Sequence, residues 1–152
     1  MDAIALKLCD IQGRLFELFA DSQYSSESLV KVFMASGLAK DLDSEYNRMQ
    51  WAGEEYLFEE LIAVYKEKLV LKKENMSKEV LFWMGYVYRY WHFYTGEESV
   101  KIYRQAPFDT MNTNYFIFHT LDVEVAIDDL KEIYRQKKKN RAREGEYKGQ
   151  KH

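Results

Sequence analysis

The chain has 152 residues, 47% of them apolar and 31% charged, with a formal net charge of −3, the balance of an ordinary globular domain long enough to bury a core. One cysteine (Cys9), one proline and seven glycines exclude an intramolecular disulfide, a four-thiolate zinc site and proline-rich or collagen-like architectures. No apolar run reaches the roughly 20 residues of a membrane span, and MDAIALKLCDIQGR lacks a signal-peptide layout. The expectation is no membrane contact and a reducing, cytoplasmic setting.

Helical spacing dominates from the start. Ile4, Leu8, Ile11, Leu15, Leu18 and Phe19 recur at three- and four-residue steps and predict an amphipathic helix over 3–20. Ser25, Ser26 or Ser28 can cap a short helix carrying Leu29, Val32 and Phe33, with Gly37 ending it. The irregular or helical stretch LAKDLDSEYNRMQW leads to a long helix over about 52–73, whose Leu57, Leu61, Val64 and Tyr65 form one stripe.

Ser77 is placed to cap the next helix, 78–94, containing LFWMGYVYRYWHFY. A helix apolar on all sides is usually buried. Trp83, Val87 and Tyr90 are expected in the core, with tyrosine hydroxyls and His92 at its rim. Gly96 closes this helix, and a short helix 97–105 stops before Pro107. Polar DTMNTN and YFIFHT then form a connector. YFIF alone has no partner strand. The last helix begins near 122, with Val123, Ala126, Ile127, Leu130, Ile133 and Tyr134 as its stripe. The fold class is all-α, and a stacking platform for bases on LFWMGYVYRYWHFY is disfavoured because Arg89 is that stretch's one cation and the body around it is acidic.

The two halves of the chain, 3–70 and 78–136, resemble each other. At an offset of 69, Glu55, Phe58, Leu61, Val64 and Tyr65 meet Glu124, Ile127, Leu130, Ile133 and Tyr134. At an offset of 72, Gly13, Leu15 and Phe16 meet Gly85, Val87 and Tyr88. Each half reads as long helix, short helix, connector, long helix, so the expected architecture is one domain over 1–136 built from an internal repeat.

Charge is split along the chain. Residues 1–130 carry 13 basic and 22 acidic side chains, a net of −9, while 131–152 carry 9 basic and 3 acidic, a net of +6. The body should repel a phosphate backbone, and 137–152 reads as a flexible basic tail. Lys137, Lys138, Lys139, Arg141 and Arg143 are the residues through which nucleic acid would be held by salt-sensitive attraction; a solvated terminus is the simpler account of the same residues.

Chemistry-bearing motifs are sparse. His92 and His119 lie outside HExxH or any nucleophile elbow, and no glycine-rich phosphate loop exists. The acidic pairs Glu54–Glu55, Glu59–Glu60, Glu97–Glu98 and Asp128–Asp129 lack the Glu-x-x-His spacing of di-metal bundles. No catalytic residue, metal or cofactor is therefore expected, a small enzyme using His119 being the least supported alternative. What remains are the connectors YNRMQWAGEEYL and NYFIFHTLDVEVA, which set aromatic and polar side chains just before a helix. They read either as caps and staples, with Thr120 or Asp122 as the cap, or as a recognition surface anchored by Arg48, Trp51, Tyr56 and His119.

The strings LKLCDIQGRLFELFA, YNRMQWAGEEYLFEELI, YVYRYWHFYTGEESVKIYRQAP and MNTNYFIFHTLDVEVAIDDL resemble a group of uncharacterised small bacterial helical proteins. Each half also loosely resembles a short helical domain family whose connector ends Gly-Glu-x-Tyr before an acidic-hydrophobic helix. Gly53, Glu54 and Tyr56 fit that ending, whereas Asp122, Val123 and Val125 do not. The resemblance implies a place beside ADP-ribosyltransferase-like toxins in toxin–antitoxin-type loci. The function it implies is a non-enzymatic protein-interaction module, an antitoxin-like or accessory regulator whose partner is such a toxin.

Overall fold

The periodicity of the first twenty residues produces α1 (Ala3–Ala20), started by Asp2, whose carboxylate accepts the Ala5 N–H at 2.7 Å. The computed structural model describes residues 1–44, 52–72 and 76–150, with side chains in the last stretch as far as Glu146. After α1 come α2 (Ser26–Met34), α3 (Gly37–Asp43) and α4 (Glu54–Tyr65). The second half holds α5 (Lys78–Thr95), α6 (Ser99–Gln105), α7 (Phe108–Phe118) and α8 (Val123–Gln150). Among the described residues there is no strand, only one antiparallel bridge joining Tyr24 to Leu71. The chain is all-α.

Hydroxyls set the short helices. Of the three candidate serines, Ser25 caps α2 by accepting the Ser28 N–H at 3.1 Å. Ser36 caps α3 through the Ala39 N–H at 3.2 Å. Gly37 is therefore the first residue of α3 rather than the end of α2. Gly96 ends α5 in the left-handed conformation, φ 79°, which glycine adopts without a Cβ penalty.

The spine of the molecule is the crossing of α1 and α5, with α4 packed on α1 and α8 on α5. The shorter helices close the core, α2 meeting α3, α6 and α7, and α3 meeting α6. Phe16, Phe19, Phe33, Tyr88 and Trp91 are all essentially inaccessible. Phe16 lies edge-on to Tyr88 at 6.2 Å and to Phe33 at 5.7 Å. Such burial contributes roughly 1.5–3 kcal/mol per large side chain. Two glycines make the crossing close: a Cβ on Gly13 would stand 2.7 Å from the Phe82 ring, and one on Gly85 would overlap the Gln12 carbonyl.

Several expectations need correction. The helix expected over 52–73 ends at Tyr65 and tightens into a 3-10 turn, Lys66–Lys68. Beyond it Val70 accepts the Ser25 N–H at 2.6 Å, and Lys72 donates to Gln23 O at 3.0 Å, so this segment satisfies its backbone against the α1–α2 loop. The connector containing DTMNTNYFIF is a helix, α7. Phe108, Met111, Tyr115 and Phe118 repeat at helical spacing, and burial of the first two outweighs the poor propensity of Asn and Thr. On α5 the buried line is Leu81, Met84, Val87, Tyr88 and Trp91, while Trp83 and Tyr90 are only half-buried.

The largest departure is at the C-terminus. Residues 137–150, read as a flexible tail, continue α8 without a break. Lys, Arg, Glu, Gln and Ala are good helix formers, and 137–144 (KKKNRARE) consists almost entirely of them.

Candidate functional site

The fold gathers polar side chains at one buried centre that sequence spacing did not reveal. Arg89, fully buried in the middle of α5, donates from Nε to Gln12 Oε1 at 2.8 Å, from Nη1 to Asp43 Oδ1 at 2.6 Å and from Nη2 to Ser99 Oγ at 3.1 Å. Asp43 in turn accepts the Ser99 N–H at 2.9 Å and the Ser99 hydroxyl at 2.8 Å. Gln12 donates to Gly85 O at 3.0 Å. One guanidinium thus ties α1, α3, α5 and α6 together. Burial lowers the Arg89 pKa and the Asp43 carboxylate opposes that shift. Among the described residues no buried side-chain polar atom is left without a partner, so each polar group of this centre is already engaged within the fold. Its geometry suits a clamp, in which a planar fork fixes helix positions.

Beside the clamp, a cleft of about 610 Å³ opens among the start of α1, the end of α3 and the end of α5, with Ile4, Leu8, Asp43, His92 and Phe93 on its walls. His92 Nδ1 lies 2.7 Å from Glu97 O and 3.5 Å from Asp43 Oδ1. A carbonyl only accepts, so Nδ1 carries the hydrogen and Nε2 keeps the lone pair in the neutral ring. Nearby Cys9 is fully buried, and burial pushes its thiol pKa up to about 12, which keeps it protonated and unreactive.

A second feature is the corner where α7 turns into α8. Phe116 and Ile117 are 82% and 64% exposed, the former being the most exposed of the large apolar side chains among the described residues, and Leu121 and Val125 are exposed just beyond. The corner is firmly built despite its exposure. His119 stacks on Tyr115 at 4.3 Å and donates from Nδ1 to Tyr115 O at 2.7 Å, and Tyr115 meets Trp83 edge-on at 5.6 Å. Thr120 Oγ donates to Ile117 O at 3.1 Å. Asp122 precedes α8 and accepts the Glu124 N–H at 3.4 Å. Tyr90 and Tyr94 then hold the outer face of α8 by donating to Glu124 and Asp128.

Of the expected anchor residues, His119 sits in this corner, exposed. Tyr56 is exposed on the first turn of α4, on a different helix. Arg48 and Trp51 lie outside the described residues. Lys137, Lys138, Lys139, Arg141 and Arg143 are all exposed along α8. Phe116 and Ile117 lie within the connector NYFIFHTLDVEVA, expected to be a cap and staple or a recognition surface, and which of its large side chains face water is set only by the axis of α7. Arg89 could have been singled out as a charge inside an otherwise apolar helix, but Gln12, Asp43 and Ser99 converge on it only in three dimensions.

No group of His, Cys, Asp and Glu among the described residues could hold a metal ion, and no described helix is long and apolar enough to cross a membrane. Compared with family models, curated proteins and solved structures, the chain matches none of them.

Proposed function

We propose that this chain is a protein-interaction module, and that the α7–α8 corner is where it grips its partner. The observation behind this reading is the pair Phe116 and Ile117, large apolar side chains held largely in water on a corner that is otherwise braced by stacking and hydrogen bonds. Leaving such a pair exposed forgoes the gain of burying it, and exposed apolar surface rimmed by polar groups marks association sites. A braced corner also loses little entropy on binding. Asp122 and Glu124 beside it, within a body of net charge −9, favour a partner whose contact surface is basic at the rim. The resemblance to helical proteins from toxin–antitoxin-type loci makes an ADP-ribosyltransferase-like toxin the partner to try first, with this chain as its accessory or antitoxin.

The test is a Phe116→Ser, Ile117→Ser double variant in co-purification with the toxin encoded nearest to the gene. Because both side chains face water, its helical CD signal and Tm should match wild type. Capture should weaken by about tenfold or more, equivalent to about 1.4 kcal/mol. A folded variant that captures the toxin as well as wild type would remove the corner from the interface.

A further inference from the structure

The face of α8 that points into the core changes character along its length. Ala126, Ile127 and Leu130 are fully buried against α5 and its neighbours. Continuing at steps of three and four residues, the same face presents Tyr134, Lys137, Lys138 and Arg141. These line a pocket of about 230 Å³ whose other walls include Arg104 of α6 and Thr110 of α7. Four cations therefore converge on one concavity, and no carboxylate lines it.

Neighbouring cations are arranged differently. Lys131 is paired with Glu97, and Arg135 lies 2.6 Å from Glu132. Arg104, Lys137, Lys138 and Arg141 form no ion pair among the described residues. Lys137 instead reaches the Thr110 hydroxyl at 3.4 Å, and Lys138 lies over the Tyr134 ring at 5.1 Å from its centre. Like charges brought together at helical spacing repel, and here three from α8 share one pocket with Arg104 of α6. Such an arrangement is stabilised by an anion seated among them, and arginine's fork together with a hydroxyl matches phosphoryl oxygens.

We propose that this pocket binds a small polyphosphate group, the di- or triphosphate of a free phosphorylated compound. Three of its cations lie within five residues of α8, four steps or about 6 Å along the axis, and Arg104 closes the opposite side. That is the reach of a few linked phosphoryl groups in a concavity rather than of a strand laid along an open groove. This site is separate from the α7–α8 corner and stands or falls independently of it.

Isothermal titration of the full chain at low salt, with sodium triphosphate as the probe, tests the proposal. Triphosphate should bind saturably and raise Tm by mass action, orthophosphate should bind about tenfold more weakly or worse, and affinity should fall as salt rises. Arg104→Ala and Arg141→Ala should each weaken triphosphate binding about tenfold or more without lowering the ligand-free Tm, since both side chains are exposed. ATP binding as tightly as triphosphate or tighter supports the same site and identifies nucleotides as a source of the group. Absence of saturable binding, or equal affinity in the variants, would overturn the proposal. So would a single-stranded oligonucleotide that binds more tightly than triphosphate and is indifferent to Arg104→Ala, which would assign the helix to nucleic acid instead.

Discussion

Arg89 sits in the middle of the aromatic-rich helix α5, and its side chain contacts partners 77, 46 and 10 positions away in sequence. Periodicity identifies which residues of α5 face inward, but says nothing about which polar groups from other helices will meet a charge there. Removing one partner of a buried pair leaves the other uncompensated, so Arg89→Leu should cost about 3–5 kcal/mol in urea unfolding. Arg89→Lys should recover only part of that loss, because an ammonium cannot reach Gln12, Asp43 and Ser99 together. Replacing Arg89 and Asp43 together with apolar residues should cost less than the sum of the two single losses. Glu97 supplies a pH signature. Burial alone would raise its pKa, but hydrogen bonds from Lys131, Trp91 and Gln105 overcome that and hold it at about 2, against an ordinary 4.5. A carboxyl depressed on folding adds stability that is complete above its unfolded value and lost as pH falls through its folded one. Urea midpoints should therefore decline between about pH 4.5 and 2, and Glu97→Gln should flatten that decline.

Most helices were legible because amphipathic spacing survives any detail of packing: α1, α5 and the start of α8 lie within a few residues of where their apolar stripes place them. α7 was not legible, since Asn and Thr dilute its stripe and only contact with the rest of the core makes it helical. The helical extent of α8 past 136 was missed for the opposite reason, a stretch with no apolar stripe but consistently favourable propensities. Two glycine substitutions separate these influences. Gly85→Ala gains about 1 kcal/mol of intrinsic helix preference, yet the added methyl overlaps the Gln12 backbone. A net loss of roughly 1–3 kcal/mol is expected, the usual cost of overpacking, seen as a lower Tm. Gly145 has open space around it, and Gly145→Ala should strengthen the far-UV helical signal without lowering Tm. A Gly85→Ala protein as stable as wild type would show that the α1–α5 crossing is looser than described.

At the scale of the molecule, each half runs an 18-residue helix, two shorter helices and a closing helix. α1 packs on α4 as α5 packs on α8, and the glycines aligned in the sequence repeat, Gly13 and Gly85, are the two that bring α1 and α5 together. We propose that the two halves are copies of one helical unit joined face to face. Separate fragments 1–72 and 76–152 should then melt without cooperativity, because each exposes half of the Phe16–Tyr88 crossing, and mixing them should restore a sigmoidal transition. Cooperative melting of either fragment alone would argue against a shared core. The clamp at Arg89 extends this to motion within the folded state. With α1, α3, α5 and α6 fastened to one guanidinium, none of them can open singly without breaking a hydrogen bond to that buried charge. Backbone amides on the inner turns of these four helices should therefore exchange with deuterium at one common free energy, as a single unit. Those of α8 beyond Arg141, outside both the clamp and the basic pocket, should exchange at the rate of a fraying end.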